Sequence, residues 1–164
     1  MFFQHVYDKT LAQASYFIGC QKAGVAAVID PKRDIDTYIE IAKQNNMQIT
    51  HIFETHIHAD FLTGSRELAA VTGAKMYLSD EGGPGWEYEF AHEGMKHNSE
   101  VMVGNLKIQV LHTPGHTPES ISFLLTDHPA TDKPVIPVPI IALILLVAII
   151  WDTDTHSTIK QNRN

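Results

Sequence analysis

A chain of 164 residues with a formal charge of −7 is one domain's worth, long enough to bury about two-thirds of its unfolded surface. It has no cluster of Lys and Arg, so it lacks the electrostatic footprint of a nucleic-acid binder, and no nucleic acid is expected as a partner. Cys20 is the only cysteine; it excludes an internal disulfide and a cysteine-rich zinc site, and it reads as a small buried apolar residue in a reducing, cytoplasmic setting.

The N-terminal "MFFQHVYDKT" has neither the basic start nor the apolar stretch of a secretory signal. Instead "FFQHVYD" (2–8) and "SYFIGC" (15–20) are predicted strands, and "GVAAVIDP" (24–31) is a buried strand closed by Asp30 and Pro31. In "RDIDTYIEIAKQNN" (33–46), Ile35, Tyr38, Ile39 and Ala42 recur at helical spacing, which predicts an amphipathic helix with Asp34 as its N-cap. The strand "QITHIF" (48–53) follows, then a helix over "GSRELAAVTG" (64–73) capped by Gly73, then the strand "AKMYLS" (74–79). The glycine-dense "DEGGPGWEYEFAHEG" (80–94) is expected to form a surface or site-lining loop with no regular element, its aromatic residues serving as packing or, as the alternative, lining a substrate pocket. "EVMVGNLKIQVLHT" (100–113) predicts a hairpin turning at Gly104 and Asn105, and "ISFLLT" (121–126) a further strand.

Residues 1–127 keep this rhythm and form one expected domain; residues 128–164 form an atypical tail. Within it "VIPVPIIALILLVAIIW" (135–151) is a run of 17 uncharged apolar residues. That is the lower limit of a membrane span, roughly 17 to 25 residues, so membrane association is expected only through 135–151. The polar "DTDTHSTIKQNRN" (152–164) is expected to fray.

Two histidine groups carry the chemistry. "THIHADF" (55–61) places His56, His58 and Asp60 as H-x-H-x-D directly after a predicted strand, and two-residue spacing in extended chain puts such side chains on one side. "LHTPGHTPES" (111–120) presents His116 behind the tight turn that Pro114 and Gly115 impose, as a second arm for the same cavity. Imidazoles and a carboxylate converging from separate strand ends suit zinc or iron. The remaining histidines read otherwise: His5, His51 and His112 as strand positions, and His92, His97 and His128 as polar loop residues.

Together "THIHAD" and "HTPGHTPESISFLL" resemble the metallo-beta-lactamase superfamily. The chain is most similar to its persulfide dioxygenase (sulfur dioxygenase) branch, over about residues 1–127. The resemblance implies an α/β fold, the αββα four-layer sandwich, with its second half incomplete here. It also implies one Fe(II) per chain, with zinc as the alternative, held by His56, His116 and a later aspartate, while His58 and Asp60 orient the ligands by hydrogen bonds. The implied reaction takes glutathione persulfide, O2 and water to glutathione and sulfite, in some relatives beside a rhodanese partner domain.

Relatives that hydrolyse thioesters, the hydroxyacylglutathione hydrolases, hold a second metal with a histidine where this chain has Phe61. A single-metal site is therefore implied, and the thioesterase is the alternative. The family's aspartate ligand has no counterpart in "PVPIIALILLVAIIW" (137–151). Asp152 and Asp154, beside His156, are the nearest stand-ins. This departure implies weaker metal binding, and makes an inactive fragment, left by a frameshift or truncation after Lys133, the third expectation.

Overall fold

The computed structural model describes residues 1–128 and the backbone of residues 136–138. Its elements are β1 (Phe2–Asp8), β2 (Gln13–Cys20), β3 (Val25–Ile29), α1 (Asp36–Gln44), β4 (Gln48–Phe53), α2 (Ser65–Thr72), β5 (Lys75–Ser79), β6 (Glu93–Met95), β7 (Glu100–Val103), β8 (Leu106–His112), β9 (Ile121–Asp127) and β10 (Ile136–Val138). They make a six-stranded sheet in the order β1-β2-β3-β4-β5-β6 and a four-stranded sheet in the order β10-β9-β8-β7. The first sheet is antiparallel from β1 to β3 and parallel from β3 to β6. Parallel neighbours need a crossover, and α1 and α2 supply two of them, one on each side of β4 in the chain.

Burial on both faces explains the apolar density of the first strands. On β2 and β3, Phe17, Ala26 and Val28 pack with Tyr38, Ile41 and Leu68 of the helices, whereas Ile18, Ala27 and Ile29 pack with Ile108, Val110, Ile121 and Phe123 of the second sheet. Successive residues thus enter opposite cores, as strand geometry dictates. The pairing of β3 with β4 slips between Ala26 and Ala27, where Thr50 is passed over. That irregularity lets Ile49 and Ile52, three residues apart, both join the helix-side core while Phe53 faces the second sheet, edge-on to Phe123 at 5.3 Å.

The described residues therefore build three layers, helices, sheet and sheet, of the expected αββα sandwich. Three local expectations need correction. Asp34 is not the N-cap of α1: Ile35 holds that position without a side-chain cap, and the Asp34 carboxylate instead accepts from Thr37 Oγ1 at 2.8 Å and pairs with Lys32 at 3.2 Å. The 80–94 stretch ends in a strand after all, because Glu93 and Gly94 align with Tyr77 and Leu78 of β5. The apolar run also starts as a strand, with Ile136–Val138 paired antiparallel to β9; its proline fits an edge, where an N–H is not required. The rest of 135–151, and Asp152, Asp154 and His156, lie outside the described residues. Among those described, no helix is long and apolar enough to cross a membrane.

Tyr38 fastens α1 to the first sheet. Its side chain is fully buried, its hydroxyl shares a hydrogen bond with Ser15 Oγ at 2.6 Å and accepts the Lys32 N–H at 2.8 Å, and burial pushes its pKa up to about 12. Tyr38→Phe strands the Lys32 N–H and should cost about 1–3 kcal/mol. The urea midpoint would show it at unchanged slope; a loss below about 0.5 kcal/mol would contradict this role for the hydroxyl.

Candidate metal centre

The parallel strands β3, β4 and β5 end on the same side, and the site begins where β3 stops. Asp30 is 6% exposed and its backbone is in the left-handed region, at φ 49°, a conformation costing a non-glycine residue roughly 1–2 kcal/mol. Its carboxylate offsets this with three contacts to the loop after β4. Oδ1 accepts the Thr55 N–H at 2.7 Å, Oδ2 accepts from Thr55 Oγ1 at 2.8 Å, and Oδ1 lies 3.3 Å from His58 Nε2. The far end of that loop is fixed by the Gly64 N–H donating to Pro31 O at 2.9 Å. A Cβ on Gly64 would lie 2.3 Å from Lys32 O, so only glycine permits this approach.

Thr55 in turn sets the tautomer of His56. Its hydroxyl proton is committed to Asp30, so at 2.8 Å from His56 Nδ1 it accepts, and Nδ1 carries the hydrogen. Nε2 is left with its lone pair. Burial, reinforced by the neighbouring His58 charge, pushes His56 down to about 4, which keeps it neutral as a metal ligand requires. The His116 ring stands edge-on to His56 with centroids 5.0 Å apart, so the two histidines meet although they come from separate arms. The second arm is docked by the Ile121 N–H on Thr55 O at 2.8 Å, and by Glu119, fully buried, which accepts from the Ile57 N–H at 2.7 Å and from Thr117 Oγ1 at 2.9 Å.

His58 faces elsewhere. Its ring lies 4.0 Å from that of His56, but its Nε2 is held between Asp30 Oδ1 at 3.3 Å and Glu54 Oε2 at 3.2 Å. Burial opposes the charge on His58, yet the two carboxylates outweigh it and push the pKa up to about 10. Burial alone would raise Asp30 too, but His58 and Thr55 bring it below the usual carboxylate range. Glu54 is raised by its burial, with the charge of Asp30 adding, while its Oε1 accepts from Thr63 and Ser65. Asp30, Glu54 and His58 also form a cluster whose ligand atoms lie within 4.8 Å of one another. Phe61 covers His58 with ring centroids 4.4 Å apart.

Asp60 is exposed and joins none of these contacts. The chain past Phe53 leaves the strand, so the two-residue alternation that would align Asp60 with His56 and His58 does not continue. The carboxylates at the site are instead Asp30, Glu54 and Glu119, which the motif did not single out. His5, His51 and His112 lie on strands as expected; His92 contacts Asp80 at 3.2 Å, and His97 Nδ1 accepts the His112 N–H at 3.1 Å. Tyr88 and Phe90, for which lining a pocket was the alternative to packing, line a cavity of about 710 Å³ together with Glu54, His56, His58 and Phe61.

Residues 9–130 match the metallo-beta-lactamase superfamily, and the chain belongs to that superfamily. It is 33% identical over 116 residues to a hydroxyacylglutathione hydrolase of Nitrosococcus oceani, covering 70% of this chain and 43% of that one. It is 24% identical over 131 residues to the mitochondrial persulfide dioxygenase ETHE1 of Bos taurus, covering 76% and 48%. Among solved structures, a metallo-beta-lactamase from Staphylococcus aureus superimposes with TM-score 0.80 at 50% identity, over 83% of this chain and 40% of that one. ETHE1 from Myxococcus xanthus superimposes with TM-score 0.70 at 36% identity, over 76% and 54%. The chain thus spans less than half the length of these curated relatives.

If the Asp30–Thr55–His56 relay holds the His56 lone pair toward a metal, Thr55→Val should weaken Fe(II) or Zn(II) binding about 10- to 100-fold, the usual cost of losing a partner that orients a ligand. A competition titration with a chelating dye would measure it. Unchanged affinity in a folded variant would contradict the relay.

Proposed function

We propose that the chain is a single-metal protein of the persulfide dioxygenase type, with Fe(II) held by His56 and His116. The observation that carries this reading is the pairing of those two rings, His56 in the tautomer that leaves Nε2 free, beside a phenyl ring at position 61. A phenyl ring cannot ligate a second metal. The donor set fits the ion: two imidazoles on separate arms, with buried carboxylates behind them to fix their orientation. Bound there, Fe(II) would supply adjacent open positions for a persulfide sulfur and for O2.

The protein's own part is positioning. Asp30 and Thr55 hold His56, Glu119 and the Thr55 carbonyl hold the arm carrying His116, and Asp30 and Glu54 keep His58 turned inward, away from ligation through Nε2. Asp60, exposed, would act only through groups outside these contacts. The overall reaction is glutathione persulfide plus O2 plus water giving glutathione and sulfite. The aspartate that completes the family's ligand set has no counterpart in 137–151, so this chain should bind iron more weakly and turn over more slowly than a three-ligand site.

The 33% identity to a hydroxyacylglutathione hydrolase favours a second reading, a zinc-dependent thioesterase acting on a glutathione thioester; Phe61 weighs against it. Both readings share a small glutathione-type thiol substrate. We retain as proposals the division into a domain at 1–127 and a tail at 128–164, a cytoplasmic location, and a rhodanese partner. Iron-loaded chain should consume O2 with glutathione persulfide and release sulfite in equal amount, with the activity lost in His116→Ala. An oxygen electrode with sulfite assay would record it. Uptake no greater than that of the variant would sink the dioxygenase reading, and hydrolysis of S-lactoylglutathione by the zinc-loaded chain would put the thioesterase in its place.

A further inference from the structure

The stretch between β5 and β6 meets the His116 arm at two places. One contact is a relay of hydrogen bonds. The Asp80 N–H donates to Met95 O at 2.9 Å and holds the start of the stretch to the sheet. The His97 N–H donates to Glu81 Oε1 at 2.5 Å, His97 Nδ1 accepts the His112 N–H at 3.1 Å, and His112 Nε2 donates to Pro118 O at 2.8 Å, one residue before Glu119. The other contact is direct. Gly82 lies against both Trp86 and Glu119: a Cβ built on it would overlap Trp86 Cβ and fall 3.0 Å from Glu119 Cβ.

The glycines of this turn are there for different reasons. Gly83 and Gly85 have φ of 72° and 86°, and a Cβ on either would meet nothing within 4 Å, so they answer to backbone conformation. Gly82 has no such φ; what it lacks is space. The Trp86 N–H donates to Gly83 O at 3.1 Å, which folds Trp86 back over Gly82. On the other side Glu119 is fully buried, and its Oε1 accepts from the Ile57 N–H and from Thr117 Oγ1. A carboxylate committed to two donors cannot yield without lengthening a bond that docks the arm.

We infer that Gly82 and Trp86 are positioning residues of the metal centre: their turn clamps Glu119, and through Glu119 it holds His116 at its distance from His56. The inference rests on the reading of His116 as a metal ligand. Neither Gly82 nor Trp86 lines the cavity beside the histidines, so their influence passes through the arm and not through a bound substrate. Close packing is what transmits it, because a filled interior admits an extra methyl group only by shifting side chains or backbone.

Titration of the full chain with Co(II), whose visible absorption reports the geometry of its ligands, tests this apart from turnover. Gly82→Ala should weaken Co(II) binding about tenfold, the lower end of the cost of disturbing a group that orients a ligand, and should change the absorption of the loaded protein. Gly83→Ala is the control: it strains the same turn but directs its methyl group into open space, so it should do neither. In the metal-free chain, hydrogen exchange at the Ile57 N–H, which Glu119 accepts, should quicken in Gly82→Ala and not in Gly83→Ala. If Gly82→Ala does not fold, Trp86→Ala carries the test, since it opens the clamp without adding an atom; it should weaken Co(II) binding and quicken Ile57 exchange in the same direction. Wild-type affinity and absorption in Gly82→Ala, an equal loss in Gly83→Ala, or weaker binding with Ile57 exchange unchanged would each overturn the inference. His116→Ala separates the two readings. Metal lost there but held at full strength by Gly82→Ala would refute the clamp alone, whereas metal held at full strength by His116→Ala would remove the ligand reading and the clamp with it.

Discussion

The site depends on one buried carboxylate. Asp30 sits at the end of a strand enclosed on both faces, where a lone ionised carboxylate would cost several kcal/mol. Its partners lie about 25 residues further on, in the Thr55 N–H, the Thr55 hydroxyl and the His58 imidazole. The loop after β4 must therefore fold back against the end of β3. Once it does, the hydroxyl that serves Asp30 also fixes the His56 tautomer, and the same backbone stretch receives the second arm through Ile121 and Glu119. The placement of His56 and His116 is inherited from a pairing that involves neither of them directly.

The sheet explains why these groups converge. β3, β4 and β5 run parallel, so the segments leaving their ends emerge on one side. They deliver Asp30, the Glu54–His58 stretch and the loop that carries Tyr88. This is the edge at which parallel α/β sheets usually bind ligands. The second sheet then brings His116 from the turn between β8 and β9. One consequence is a graded site, with charged groups locked in the interior, two histidines at its edge, and an aromatic cavity lined by Arg66 beyond them.

Much of this was legible in the sequence. The strands around Phe2–Asp8, Gln48–Phe53 and the hairpin at Gly104 follow from alternation and turn chemistry, and Gly73 caps α2 in the left-handed conformation, φ 72°, as its position predicted. The H-x-H motif and the G-H-T turn pointed to histidines that meet from two arms, and the His56 and His116 rings do meet. What stayed hidden were single acidic residues. Asp30 and Glu119 act on positions 25 and 62 residues away in the chain, and no local pattern encodes such pairings. Asp60 misled because alternation holds only while the chain is extended, and the chain leaves the strand at Phe53. β6 is three residues long, too short for any periodicity, and exists because β5 offers it a parallel edge. Tyr88 and Phe90 could be read as packing or as pocket lining, because a glycine-rich segment does not show which cavity its aromatics will face.

The chain spans less than half of its curated relatives, and among the described residues the candidate ligands are imidazoles with buried carboxylates behind them. The central claim is that His56 and His116, on separate arms, share one ion. Iron content after anaerobic loading with Fe(II) and gel filtration, compared between the wild type and His116→Ala, tests it most directly. The account predicts about one iron per wild-type chain and none retained by the variant, as two arms closing on a single ion require. Iron bound equally by both proteins would show that the ion sits elsewhere, and no iron in folded wild type would show that the two histidines alone do not make a metal site.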